Sequence, residues 1–197
     1  MTTIIENRRN LHQIPEIELT TQKTAQYIEN VLDLYDCIID HPIQNSVTAY
    51  FDNQKEKTIV FRSDMDALPM EENTDLEFKS TNGCMHACGH DIHAAVLYGT
   101  LLRLSAERNF EGTLFGIFQP GEESNPGGAS KVLAENPFEG YTVLAVVGEH
   151  VEPALDAGTL GFRAGKYMAS NDELRLTLEG AGGHAAMRAE HRDTVSA

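Results

Sequence analysis

The stretch "MHACGHDIH", Met85 to His93, holds three histidines, one cysteine and one aspartate in nine residues. A thiol and imidazoles at that density suggest a soft metal ion, a nucleophilic thiol or a small zinc-binding knuckle. Three other clusters offer chemistry. "FRSDMDALP" supplies Asp64 and Asp66, "FQPGEES" supplies Glu122 and Glu123, and "GEH" supplies His150. Cys88, His90, Glu123 and His150 together form a mixed sulfur, nitrogen and oxygen set fit for zinc or a similar divalent ion. The adjacent glutamates allow a division of labour. One can bind metal while its neighbour, pointing elsewhere, acts as general base toward a water whose pKa the metal lowers. Asp66 is a candidate for orienting a ligating histidine, which needs an acceptor for its second ring nitrogen.

Each cluster also has a plainer reading. A GEE pair in a polar loop is ordinarily solvated charge, and Asp64 and Asp66 fit a turn ahead of Pro69. Cys84 and Cys88 have a C-x3-C spacing that could seed a zinc knuckle, but no second cysteine pair follows. A disulfide between them is disfavoured in a reducing compartment. A Cys88 nucleophile would leave the acidic and histidine clusters unused. His12 and His191 read as surface or packing histidines.

Secondary structure has to bring these clusters together. Any helix in "IIENRRNLHQIPE" stops near Ile14, ahead of Pro15. "ELTTQKTAQYIENVLDLY" is predicted helical, with Thr20 or Thr21 as cap and Ala25, Ile28, Val31 and Leu32 at helical spacing. "SVTAYF" from Ser46, "TIVF" from Thr58 and "TLFGIF" from Thr113 read as strands. "VLAVV" from Val143 is continuously apolar, the pattern of a strand buried on both faces. Helical patterns lie between, at "HAAVLYGTLLRL" from His93 and "GGASKVLAE" from Gly127. The alternation predicts an α/β fold, a mixed and largely parallel sheet sandwiched by helices. Ligands in such folds bind beyond the carboxyl ends of strands, where these clusters fall.

The pattern changes near residue 168. "DELRLTLEG" alternates strictly, with Leu174, Leu176 and Leu178 on one face and Glu173, Arg175, Thr177 and Glu179 on the other. That predicts a half-buried strand of a different sheet. Residues 1–167 are therefore expected to form one α/β domain and 168–197 to begin another.

Composition bounds the partners. Hydrophobic residues make up 41% and charged residues 23%, an ordinary globular balance. Fifteen basic against 30 acidic residues give a net charge of −15, which repels nucleic acid and anionic membranes. No apolar run approaches the roughly 20 residues needed to span a bilayer, and the first residues do not combine a basic start, an apolar run and a small-residue cleavage site, so export is not expected. Three cysteines are too few for a disulfide scaffold, so a cytoplasmic location is expected.

The ordered set "RRNLHQIPE", "RSDMDALP", "MHACGHDIH", "FQPGEES", "GEHVEP", "GKYMASNDEL" and "GGHAAM" resembles the metal-dependent amidohydrolases of the aminoacylase, hippurate hydrolase and N-acetyldiaminopimelate deacetylase type. These are relatives of the carboxypeptidase G metallopeptidases. The resemblance implies a zinc-peptidase-like catalytic domain with two divalent ions, zinc or manganese first and cobalt or nickel as alternatives. It makes Cys88, His90, Glu123 and His150 the ligands and Glu122 the general base. Asp64 stands where more distant relatives carry a metal-binding histidine, and Asp66 where they carry an orienting aspartate. The part from Met168 onward is similar to the start of an α+β lid domain through which relatives form homodimers. There His184 matches a histidine that polarises the scissile carbonyl. The implied substrate is an N-acyl amino acid or a peptide-like conjugate. Met187, Arg188 and Ala189 replace a usual Pro-His stretch, so the loop after His184 is expected to differ. Relatives run on well past Ala197 and supply a further histidine ligand there. The alternative reading is therefore an inactive metal-binding or subunit-interaction fragment of such an enzyme.

Overall fold

The apolar run Leu114 to Phe118 lies in the middle strand of a five-stranded sheet and is buried along its whole length. The computed structural model describes residues 3–52, 57–107, 110–170, 172, 174–181, 183 and 184. They fall into two compact units, Met1–Pro153 and Ala154–Ala197.

The first unit runs α1 (Ile4–His12), α2 (Gln22–Leu32), β1 (Ile38–Asp40), β2 (Val47–Asp52), β3 (Lys57–Asp64), α3 (His90–Glu107), β4 (Thr113–Gln119), α4 (Gly128–Ala134) and β5 (Thr142–Gly148). The sheet order is β1-β2-β4-β3-β5. β3 runs parallel to both β4 and β5, while β2 is antiparallel to β1 and β4. The sheet is thus mixed, as expected, and the carboxyl ends of β3, β4 and β5 share one edge.

α1 starts at a reciprocal cap in which the Thr3 hydroxyl accepts from the Glu6 N–H and the Glu6 carboxylate from the Thr3 N–H. Thr21 is the N-terminal cap residue of α2 but makes no side-chain bond there. The Thr24 N–H is satisfied instead by the Glu16 carboxylate at 2.9 Å. One face of the sheet, carrying Val47, Ala49, Phe51, Leu114 and Phe118, packs on Leu11 of α1, Ile28 and Leu32 of α2 and Leu97 and Leu101 of α3. Burying each of these side chains other than Ala49 contributes roughly 1.5–3 kcal/mol. Gly116 leaves room for Leu101, whose methyl group occupies the space a Cβ would need. The opposite face holds Val60, Phe115 and Ile117, with Tyr50 stacked on Phe115 at 5.3 Å.

Two sequence expectations are corrected. The apolar strand from Val143 is not buried on both faces, since Leu144, Val146 and Val147 are exposed. The reason is position: β5 lies at the sheet edge, with β3 as its one neighbour among the described residues. Residues 174–179 form no strand, and Leu174, Leu176 and Leu178 are exposed. A strand is held by ladder bonds to a neighbour, and no strand pairs with this segment among the described residues. Glu173, Met187, Arg188, Ala189 and His191 lie outside the described residues.

Candidate metal centre

β3 ends at Asp64, β4 at Gln119 and β5 at Gly148. Because the three are parallel, Asp64, Asp66, Glu122, Glu123 and His150 emerge at one edge, where α3 begins with His90. Cys88 Sγ stands 3.3 Å from His150 Nε2. His90 Nε2 stands 3.9 Å from a carboxylate oxygen of Glu122 and 3.9 Å from one of Glu123. Cys88, His90 and His150 form one group of donors within mutual reach, and His90, Glu122 and Glu123 form a second that shares His90. Donors placed tetrahedrally around one ion at 2.0–2.3 Å stand about 3.3–3.8 Å apart. The 3.3 Å between Cys88 and His150 fits that spacing, and the 3.9 Å from His90 Nε2 to each glutamate lies just above it, beyond the reach of an ordinary hydrogen bond between nitrogen and oxygen.

The tautomers follow from the backbone. His90 Nδ1–H donates to the Asp66 carbonyl oxygen at 2.7 Å. That leaves His90 Nε2 as a lone-pair donor, fully buried and without a hydrogen-bond partner. His150 Nδ1–H donates to the Val151 carbonyl oxygen at 2.7 Å, so its Nε2 faces Cys88. A buried imidazole nitrogen with no partner, ringed by a thiol and carboxylates, fits a divalent cation.

The Asp66 carboxylate has another task. Its two oxygens accept the backbone N–H groups of Glu122 and Glu123, each at 3.0 Å. One carboxylate therefore sets the turn after β4 that presents both glutamates. For His90 it is the Asp66 carbonyl that fixes the tautomer, the carboxylate standing at 3.5 Å.

Electrostatics favour a cation here. Burial pushes the Cys88 thiol up to about 12, helped by the charges of Glu123, Glu122 and Asp64. Burial and the neighbouring Glu123 raise Glu122 above the usual carboxylate range. Burial opposes a charge on His90, but the Asp66 hydrogen bond and the Asp64 charge outweigh it and raise its pKa. Burial likewise opposes the Asp64 carboxylate. Its hydrogen bond from His93, with the charges of His90 and Arg62, holds it at about 2. A bound divalent ion inverts this logic for the thiol, which loses its proton outright on coordination.

Sequence reasoning missed two sets of residues. His93, three positions after His90 and on the same helical face, bonds Asp64 with Nδ1 at 2.6 Å and accepts the Val151 N–H with Nε2 at 3.0 Å. For His12 the packing alternative holds and the surface one does not, but its charged partners were not foreseen. It is buried and bonds Asp91 at 2.8 Å and Glu72 at 3.0 Å, while Arg8 pairs with Asp91 at 2.7 Å. α1 thereby grips the first turn of α3, next to His90. Its isolated position in the sequence gave no sign of either partner. Cys84 and Cys88 are both free thiols, and His184 is an exposed residue of the second unit. Among the described residues no helix is long and apolar enough to cross a membrane.

Residues 60–196 match the model of peptidase family M20/M25/M40. The chain is 39% identical to the N-acetyldiaminopimelate deacetylase of Lactococcus lactis subsp. cremoris (strain SK11), over 100% of its own length and 53% of that protein's. It is 37% identical to an N-acyl-L-amino acid amidohydrolase of Geobacillus stearothermophilus, over 99% of its length and 53% of that protein's. Among solved structures, the Bacillus subtilis YXEP protein, described as a dinuclear metal binding peptidase, superimposes with a TM-score of 0.72 at 37% identity. That match covers 77% of this chain and 43% of the other. The chain spans about half the length of the curated relatives it matches.

Proposed function

The chain belongs to peptidase family M20/M25/M40, and on that premise we propose that it carries the metal-holding part of an amide hydrolase for N-acyl amino acids or peptide-like conjugates. The observation that carries the reading is His90 Nε2, buried without a hydrogen-bond partner beside Cys88, His150, Glu122 and Glu123. Cys88, His90, Glu123 and His150 would hold two divalent ions, zinc or manganese first, with cobalt or nickel as alternatives. When bound, such ions polarise the amide carbonyl and acidify water.

The chain's own residues divide the remaining work. Glu123 bears most directly on the Cys88 thiol, which supports ligation. Glu122 is the more exposed of the two glutamates, and its raised pKa suits a base that takes a proton and passes it to the leaving amine. Asp66 holds the turn that aims both. Residues 1–167 constitute the catalytic portion in this reading. Residues 168–197 begin a lid through which the complete protein dimerises, with His184 polarising the scissile carbonyl. The deacetylase and amidohydrolase names of its relatives support the substrate class, and its free thiols suit the cytoplasm.

The test is turnover of N-acetyl and N-benzoyl amino acids by the full-length protein with added zinc or manganese. Release of the free amino acid is expected. A metal-loaded, full-length protein that hydrolyses none of these amides overturns the reading.

A further inference from the structure

Asp64, His90 and His93 lie close enough together to suggest another metal group, yet the hydrogen bonds of His93 rule it out as a ligand. The Val151 N–H can only donate, so His93 Nε2 must accept and the His93 proton sits on Nδ1, pointing at Asp64. No lone pair is left for a metal. Asp64 is committed as well: one oxygen takes the His93 proton at 2.6 Å and the other the Arg62 guanidinium at 2.9 Å.

We infer that His93 is a positioning residue of the metal site, acting on His150 through the backbone of Val151, with Asp64 and Arg62 fixing its own orientation. Val151 is held at both ends of its backbone. Its N–H is captured by His93 Nε2, and its carbonyl captures His150 Nδ1–H. The first bond places the Val151 peptide, and the second fixes the ring of His150 so that Nε2 faces Cys88 at 3.3 Å. The His93 and His150 rings also meet edge to face, with centroids 4.5 Å apart. Gly89 packs into the same seam. With φ at +90° and Val151 Cγ2 only 2.6 Å from where a Cβ would stand, that position requires glycine.

His150 needs this help because of where it sits. It follows an edge strand and is itself exposed, so little packing restrains its ring. His93, wholly buried in the first turn of α3, supplies the rigid reference. The cost of removing such an outer partner is typically a 10–100-fold loss of metal affinity.

The inference rests on the reading that Cys88 and His150 hold a metal, and the test separates the two. Cobalt(II) is titrated into the 197-residue chain and followed by its thiolate charge-transfer band. H93N keeps a donor for Asp64 but falls short of Val151, whereas H93Q places an acceptor near the Val151 N–H. H93N should bind cobalt roughly 10–100-fold more weakly with a diminished band, and H93Q should recover most of both. H93N binding like the unaltered chain, or H93Q failing as badly as H93N, overturns the inference. An unaltered chain with no thiolate band overturns the metal reading and the inference with it. Should both variants misfold, the tautomer decides: nitrogen NMR of the unaltered chain should show His93 protonated on Nδ1, and protonation on Nε2 alone overturns the inference.

Discussion

His150 Nε2 lies 3.3 Å from Cys88 Sγ, although 62 residues of chain separate them. Nothing but the fold brings them together, so the pair reports directly on the site. C88S should abolish the thiolate–cobalt band and weaken zinc binding at least about tenfold, because a hydroxyl is a poor substitute for a soft thiolate. Unchanged zinc affinity by calorimetry would remove Cys88 from the ligand set.

The two glutamates should separate cleanly. In the full-length enzyme, E122Q is expected to lower kcat roughly 10²–10⁴-fold, the usual worth of a general base, with metal content nearly intact. E123Q should instead lose metal. Metal analysis of both variants beside their kcat values distinguishes the roles, and the opposite pattern would mean that they are reversed.

Asp66 accepts two backbone N–H groups with one carboxylate. D66N leaves one oxygen as acceptor and turns an NH2 group toward the other N–H. One charge-assisted bond is lost, which costs roughly 1.5–3 kcal/mol in urea denaturation. Metal affinity should fall as well, because the turn no longer aims both glutamates. A variant as stable as the unaltered chain would show that the turn holds itself.

His12 should make stability depend on pH. Its hydrogen bond to Asp91 and its bond to Glu72 raise its pKa above the ordinary value of 6.5, against the opposing effect of burial. The folded state therefore holds the proton more tightly than the unfolded chain. The stabilisation is fully present below about pH 6.5 and is lost as pH rises through the raised folded value. Denaturation of the unaltered chain and H12Q should show a wider gap at about pH 6 than at about pH 9. A gap that is constant or grows with pH contradicts this account.

Much of the fold was legible because its signals are local. Pro15 limits α1, the spacing of Ala25, Ile28, Val31 and Leu32 marks α2, and "TLFGIF" is apolar enough to be an inner strand. Glu123 and His150 were legible as residue types just after predicted strands, and Cys88 and His90 as part of one dense motif opening a predicted helix. What sequence could not supply was the order of strands. "VLAVV" has the composition of a buried strand but lies at an edge, and "ELRLTLE" has the alternation of a strand without one to pair with among the described residues. The supporting bonds were equally hidden. His12 to Asp91 spans 79 residues and His93 to Val151 spans 58, and no periodicity encodes such pairings. His93 stood inside the most conspicuous motif, yet its use of both ring nitrogens on the protein emerges only from three dimensions.

The placement of His150 after an edge strand has a thermodynamic corollary. Cys88, His90 and Glu123 are carried by the segment before α3, its first turn and the turn after β4, whereas the fourth donor, His150, follows an edge strand, which local unfolding opens more readily than an inner one. Ions held by these four residues together would keep β5 docked, so part of their binding free energy would go into that docking. Linkage makes this reciprocal: whatever pairs with the outer edge of β5 tightens the ion, and the ion tightens that pairing by the same factor. Occupancy of the centre is thereby a gauge of how completely the sheet is assembled.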